Sequence, residues 1–205
     1  MPEYKKFNLG GNDGLFNVMS SRHIFHANQT TVYDEKVVGS HPYVVRSSLN
    51  NGVRGYIVET EMALNDGNTM SFAQDTFCVF YQKEPYFTGN KVKVLSPRFQ
   101  GFNREKALFI ATLLYKGLTM LTWGTGSNVE SIEKIKISLP ITAEGEIDFA
   151  YMESYILEKE AACIREIEAA RIRELKAYLK VTGLSDFNLT VDEQRFISNV
   201  RGGEG

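Results

Sequence analysis

One stretch decides the architecture of this chain, residues 148–180, which read DFAYMESYILEKEAACIREIEAARIRELKAYLK. It contains neither glycine nor proline, and Ala, Glu, Lys, Arg, Ile and Leu dominate it. Asp148 can cap a helix N-terminus, and Gly183 lies just beyond the other end, where glycine commonly ends a helix. At a rise of about 1.5 Å per residue, this pattern predicts a single helix roughly 50 Å long. A small domain rarely covers such a length, so we expect the helix to contact another surface.

The apolar side chains of this helix do not lie along a single face. They begin at Phe149, and their spacing then drifts around the helix, which is too irregular for a strict heptad zipper. We predict that they contact more than one partner surface, through Met152, Ile156, Cys163, Ile164, Ile167, Ile172, Leu175 and Leu179. The alternative is a long helix that folds back on its own domain.

The preceding residues read as short strands broken by turns. Runs rich in β-branched and aromatic residues at 42–46 and 55–59 flank Asn50, Asn51 and Gly52, and Asn-Gly is a strong signal for a tight turn. Further strands are predicted at 76–81 and 91–95.

One shorter helix is predicted after these strands. Asn103 can cap it, Glu105 lies in its first turn, and Gly117 is a plausible end. The predicted fold class is therefore α+β, with a strand-rich globular domain at 1–147, the long helix at 148–182 and a polar tail at 183–205.

Composition narrows the class of protein. The chain has 205 residues, 43% of them hydrophobic, and no apolar run approaches the roughly 20 residues of a membrane span. The first ten residues lack the apolar core of a signal peptide. The two cysteines, Cys78 and Cys163, lie far apart, so we expect no disulfide framework and a cytoplasmic location.

The distribution of charge matters more than the formal net charge of -2. Between Gln82 and Lys106 there are six basic residues against two acidic ones, interleaved with aromatic residues. Such a stretch suits nucleic-acid binding, although a solvated strand face explains it equally well.

Signs of catalysis are missing from the sequence. His23 and His26 have a spacing that could hold a metal on a helix, but their context is not helical and no acidic third ligand is near. The chain has no nucleophile elbow, phosphate-binding loop or dinucleotide fingerprint. We therefore expect no metal site, no cofactor and no active site.

Three segments, in order, resemble the specificity subunits of bacterial type I and related restriction-modification systems. The opening 4–9 (YKKFNL), followed by 14–18 (GLFNV), resembles the entry to a target recognition domain, and 124–140 (GTGSNVESIEKIKISLP) resembles its exit. Residues 145–156 (GEIDFAYMESYI) resemble the start of the spacer helix, which ends near 182–186.

The resemblance implies a DNA-recognition subunit that docks methyltransferase subunits, and in some systems a restriction subunit. S-adenosylmethionine would then belong to the methyltransferase alone. Full-length members carry two recognition domains and two spacer helices, whereas this sequence has one of each and no internal repeat. It therefore corresponds to a half subunit or a fragment, and a half subunit implies a head-to-tail homodimer with antiparallel helices that reads two inverted half-sites on double-stranded DNA.

Candidate DNA contacts are the residues whose side chains suit phosphates or base edges. They are Arg46, Asn50, Asn51 and Arg54 near the first turn, Gln82, Lys83, Tyr86 and Lys91 in the basic stretch, and Arg104 and Trp123 beyond it. The turn alone explains one or both of Asn50 and Asn51. Three other functions stay open: a stand-alone dimeric DNA-binding regulator, an oligomeric scaffold that does not bind DNA, and an enzyme whose active site has no recognisable motif.

Overall fold

The computed structural model of the chain describes residues 2–118, 128–184 and 191, without the side chains at 116–118. Contacts between residues divide the chain into two units, 1–157 and 158–205, which we call the head domain and the helical unit. None of the helices in the described ranges has both the length and the apolar composition needed to cross a bilayer.

Strands dominate the head domain. In chain order they are β1 Glu3–Asn8, β2 Phe16–Ser20, β3 His41–Val44, β4 Val53–Ile57, β5 Thr69–Ala73, β6 Val79–Gln82, β7 Phe87–Thr88, β8 Val92–Pro97 and β9 Lys136–Ile141. The helices are α1 Arg104–Leu118, α2 Val129–Glu133 and α3 Phe149–Thr182, and short 3-10 turns lie at Asn50–Gly52 and Glu61–Ala63. The predicted α+β class, with a strand-rich domain and one long helix, is confirmed.

Three small sheets build the head domain. The largest has the order β2-β8-β5-β6, and all its neighbours are antiparallel. A second has the order β4-β3-β7, in which β3 pairs antiparallel with β4 and parallel with β7. The third joins β1 to β9, so that the first and the last strand of the domain pair with each other.

The principal core lies between the largest sheet and the helices. Phe16, Met70, Phe72 and Leu95 of the sheet are fully buried in it. Helix α1 contributes Ala107, Ile110 and Leu114, which are also fully buried. Burying a large aliphatic side chain contributes about 1.5–3 kcal/mol, so α1 is held mainly by this apolar face.

Both long helices begin at the caps that the sequence predicts. The Asn103 side-chain oxygen accepts a hydrogen bond from the Lys106 backbone N–H at 3.1 Å, and Asp148 accepts one from the Tyr151 N–H at 2.8 Å. Helix α3 runs for 34 residues, from Phe149 to Thr182.

One predicted strand begins later than expected. The sequence predicts a strand at 76–81, but β6 starts only at Val79. Phe77 has a left-handed φ of 53°, which ends the preceding turn and cannot belong to a strand. The β-branched and aromatic composition of this run therefore misplaced the strand start by three residues.

Candidate nucleic-acid interface

The turn between β3 and β4 presents two asparagines at the surface. Asn50, Asn51 and Gly52 all have left-handed backbones, with φ of 48°, 51° and 78°. Asparagine tolerates this conformation better than most residues, and glycine adopts it freely. Asn50 also donates its side-chain amide to the Val53 carbonyl at 3.1 Å. Turn chemistry therefore explains both asparagines, and their exposed side chains are in addition available to a ligand.

Beside this turn lies an open groove of about 400 Å³. It brings together five of the predicted DNA contacts, namely Asn50, Asn51, Gln82, Lys83 and Arg104. Lys36, Tyr56, Tyr81 and Glu84 also line it. The groove therefore joins the turn, the end of β6 and the start of α1, which are far apart in sequence.

Gln82 holds the turn between β3 and β4 in position through its side-chain amide. It is 5% exposed, and its amide nitrogen donates to the Asn51 carbonyl and to the Ser71 hydroxyl, each at 3.0 Å. Because this nitrogen fixes the backbone of Asn51, we assign Gln82 a role in holding the groove rather than in reaching out of it.

Tyr86 does not lie on the surface. Its side chain is fully buried, and its oxygen accepts a hydrogen bond from the Thr69 hydroxyl at 3.3 Å. Burial raises the pKa of Tyr86 far above its ordinary value. A buried tyrosine of this kind stabilises the core, so we remove it from the set of DNA contacts that we propose.

Arg46 and Lys91 converge on one carboxylate. The Lys91 ammonium lies 3.2 Å from both oxygens of Asp75, and Arg46 forms an ion pair with the same carboxylate. Partial burial raises the pKa of Asp75, but hydrogen bonds from Lys91 and Arg46 outweigh it, so the pKa lies below the ordinary value. Sequence reasoning missed Asp75, since nothing in the chain links it to two distant cations.

The remaining candidates are basic side chains at the surface. Arg54 lies exposed on β4, and Lys83 is exposed just after β6. Arg104 begins α1 and forms an ion pair of 3.6 Å with Glu105. Trp123 lies outside the described residues.

Lys36 and Tyr56 are among the groove residues that the sequence analysis missed. Lys36 pairs with Glu84 at 2.8 Å, and hydrogen bonding to that carboxylate raises its pKa. The nearby Val38 is 99% exposed and precedes Gly39, which has a left-handed φ of 74°. The pair Val37-Val38 suggests a strand, and only the turn at Gly39 could have indicated an exposed loop beside the groove.

The residues predicted to contact partners along the helix fall into two groups. Met152 is fully buried in the head-domain core, and Ile156 packs against the same core. The assignment of Met152 to a partner surface was therefore wrong, because it faces its own domain. The others are exposed or half-buried: Cys163, Ile164, Ile167, Ile172, Leu175 and Leu179.

The site offers charge and hydrogen-bonding groups rather than reactive ones. Across the described ranges, no group of three or more His, Cys, Asp or Glu side chains is placed to hold a metal ion. What the groove and its surroundings can do chemically is to bind anions and to exchange hydrogen bonds with flat polar groups.

A comparison with known proteins finds a family model that matches most of this chain. The family model described as the type I restriction modification DNA specificity domain matches residues 3–169. Among curated proteins, the chain is similar to the type II restriction enzyme BgcI specificity subunit S.BcgI of Heyndrickxia coagulans, at 31% identity over 117 residues. That alignment covers 56% of this chain and 34% of the relative, so the chain spans only part of the relative's length.

Solved structures support the same fold. The S subunit of a type I restriction-modification system from M. genitalium matches with a TM-score of 0.52 at 13% identity, over 84% of this chain and 44% of that one. The HsdS subunit from Thermoanaerobacter tengcongensis matches with a TM-score of 0.53 at 13% identity, over 87% and 43%. In both comparisons this chain corresponds to less than half of the solved one.

Proposed function

Because this chain belongs to the family of type I restriction modification DNA specificity domains, we propose that it is the DNA-reading subunit of a restriction-modification complex. The observation that carries the proposal is the groove beside the β3–β4 turn, which gathers amide and basic side chains at the surface of the matched domain.

Two kinds of contact follow from the chemistry of these side chains. The amide of Asn51 and the guanidinium groups of Arg54 and Arg104 can each make paired hydrogen bonds to base edges, worth about 1–3 kcal/mol of discrimination. Lys83 supplies a charge for phosphate, which gives salt-dependent affinity without sequence information. We propose that Asn51, Arg54 and Arg104 read bases. Lys83 then contacts phosphate and positions the chain on the duplex.

A chain with one recognition domain reads one half-site. We propose that two copies pair through α3 and read two identical half-sites in inverted orientation, with a gap that the protein spans without reading. The exposed apolar residues of α3 support this, because an isolated helix would leave them in water.

Catalysis belongs to partners in this proposal. DNA methyltransferase subunits would dock on the chain and bind S-adenosylmethionine, and a restriction subunit would be a further partner. The chain itself would have no active site and would work in the cytoplasm, where its DNA lies.

Methylation mapping tests the proposal most directly. The chain is co-expressed with a type I methyltransferase subunit, and the methylated bases of the host DNA are sequenced. We expect a bipartite motif with two-fold symmetry, and Asn51→Gly should relax one base position in each half. Glycine keeps the left-handed backbone at this position, so the variant removes only the side-chain amide. Methylation without any enriched motif would contradict the proposal.

A salt titration with purified protein separates phosphate contacts from base contacts. Lys83→Ala should weaken binding to all sequences and reduce the slope of log affinity against log salt by about one. Lys6→Ala, which removes an exposed lysine of β1 far in sequence from the groove, is the matched control and should leave the slope unchanged. Gel shifts with and without the methyltransferase distinguish a stand-alone regulator, which would bind tightly by itself.

A further inference from the structure

The groove beside the β3–β4 turn contains a carboxylate, which a surface that only follows the DNA backbone would not favour. Among the described residues that line it, Glu84 alone is acidic, and its side chain is 53% exposed. Every phosphate of a duplex carries a negative charge and repels this group. The carboxylate therefore suits a contact with the edges of bases better than a contact with phosphates.

The backbone around Glu84 is held in one position. Pro85 follows it directly, and a residue before proline is restricted to extended conformations. Gly67 lies so close that a Cβ there would come within 2.8 Å of the Glu84 carbonyl carbon and 2.9 Å of the Pro85 nitrogen. The next residue, Tyr86, exchanges two backbone hydrogen bonds with Asn65, at 2.9 and 3.1 Å. The side chain of Glu84 therefore starts from a fixed point at the groove.

The end of the Glu84 side chain is held as well. The Lys36 ammonium donates to its Oε2 at 2.8 Å, from a loop that is 48 residues away in sequence. That loop is itself anchored, because Tyr33 exchanges two backbone hydrogen bonds of 2.8 Å with Tyr56 of β4. A group that is fixed before binding loses less entropy when it meets a ligand, so this carboxylate is preorganised for recognition.

The Glu84 carboxylate can accept further hydrogen bonds and can donate none. Hydrogen bonding from Lys36 holds the pKa of Glu84 below its usual value, so the group is ionised at neutral pH. An ionised carboxylate has about four acceptor positions on its two oxygens, and the bond from Lys36 uses one of them, on Oε2. Acceptor capacity therefore remains for a donor on a ligand.

The major groove of DNA offers few donors to such an acceptor. Guanine and thymine present acceptors there, and adenine presents its amino group beside the acceptor N7. Cytosine presents the amino group at N4, with no acceptor of its own beside it. Because a carboxylate repels other acceptors, it selects cytosine both by the bond that it makes and by the bases that it excludes.

We propose that Glu84 reads a cytosine in the half-site by accepting a hydrogen bond from its exocyclic amino group, and that Lys36 is the positioning residue that orients the carboxylate. This inference rests on the proposed function and deepens it, because it names a base and the residue that selects it. It also gives the acidic member of the groove a role that attraction to phosphate cannot supply.

Methylation mapping with the full chain and a type I methyltransferase subunit tests the inference. We expect the wild-type motif to contain a C·G base pair whose preference depends on Glu84. Glu84→Ala should reduce the preference for that pair by about 5- to 150-fold and leave the other positions of the motif as sharp as before. Those other positions report that the variant still folds and assembles.

Glu35→Ala is the matched control. It makes the same chemical change at an exposed carboxylate of the neighbouring loop, outside the lining of the groove. It should leave every position of the motif unchanged, because the loss of one surface charge alters affinity for all sequences alike.

The Lys36 variants separate positioning from attraction to phosphate. Lys36→Ala should relax the same base pair as Glu84→Ala, and the double variant should relax it no further, because the two residues act as one unit. Lys36→Arg keeps a donor and a charge and should restore the preference. A lysine that only attracted phosphate would weaken binding to every sequence equally and leave the preference unchanged, which would overturn its assignment as a positioning residue.

Three outcomes decide the inference. A motif that Glu84→Ala leaves unchanged, or relaxes only at an A·T pair, would overturn the reading of cytosine while the proposed function stands. Methylation by the wild type without any enriched motif would instead overturn the proposed function. If Glu84→Ala assembles too little complex for mapping, the Lys36→Ala complex decides: relaxation at a C·G pair supports the inference, and an unchanged motif overturns it.

Discussion

Helices α1 and α3 have the same kind of start but bury very different surfaces. α1 has 15 residues, of which Ala107, Ile110 and Leu114 are fully buried in the head domain. α3 has 34 residues, and Met152 near its start is its buried residue. Its later aliphatic side chains, such as Ile172, are more than half exposed. The comparison teaches that α1 is stabilised by its own domain, whereas α3 leaves most of its later aliphatic side chains exposed among the residues that the structure describes.

The largest expected effect on stability appears when isoleucine is replaced by alanine at one position in each helix. Ile110→Ala should lower the free energy of unfolding by about 2–5 kcal/mol, because it leaves a cavity in the core. Ile172→Ala should cost less than about 1 kcal/mol in the monomer, since that side chain is 53% exposed. Urea denaturation at a concentration where the chain is monomeric measures both. Equal losses would show that α3 is covered by its own chain.

A smaller effect is expected where the two helices meet within the head domain. Lys106 of α1 is 7% exposed, and its ammonium lies 2.7 Å from a carboxylate oxygen of Glu153 in α3. Lys106→Ala should cost about 1–3 kcal/mol of unfolding free energy, because a partly buried charge loses its partner. Lys176→Ala, at an exposed position of α3, is the control and should stay within about 0.5 kcal/mol of the wild type.

Substitutions at the two helix caps should change the free energy of unfolding by less than the substitutions above. Asn103→Ala and Asp148→Ala should each cost about 1 kcal/mol. Asn103 should be the more costly of the two, because its amide also donates to Glu153 at 2.5 Å. Thermal unfolding resolves the order, and Asn103→Ser and Asp148→Ser, which retain a capping oxygen, should recover most of each loss. A more costly Asp148→Ala would contradict the structure.

The smallest expected effect is a response to acid. Hydrogen bonds from Lys106 and Asn103 lower the pKa of Glu153 below its ordinary value. A carboxylate with a lowered pKa stabilises the folded state above the unfolded pKa of about 4.3, and this contribution is lost as the pH falls through the folded pKa. Glu153→Gln should therefore make the urea midpoint less dependent on pH below about 5 than in the wild type. An unchanged acid response would show that Glu153 does not contribute to it.

The features that the sequence could predict are set by residues close to one another in the chain. The caps at Asn103 and Asp148 and the turn at Asn50–Gly52 follow from residues next to each other, and the structure confirms all three. The family resemblance is confirmed as well, since the family model matches residues 3–169, which include the motifs that carried it.

The features that the sequence could not predict depend on contacts between residues far apart in the chain. The basic stretch around Tyr86 predicts a surface position, but the Thr69 hydroxyl donates to its oxygen and the residue is fully buried. Met152 has the spacing of a partner-facing residue, and only the position of the head-domain core shows which way it faces. The groove itself exists because the β3–β4 turn, β6 and α1 meet, which no local pattern encodes.

The pairing of β1 with β9 has a consequence for biosynthesis. Glu3–Asn8 is synthesised before its hydrogen-bonding partner Lys136–Ile141, which is made more than a hundred residues later. At typical translation rates the first strand therefore waits roughly 10 s with an open edge. Lys5 and Lys6 give that edge two exposed charges, which discourage pairing with other nascent chains. The head domain can close only when nearly all of it has been synthesised.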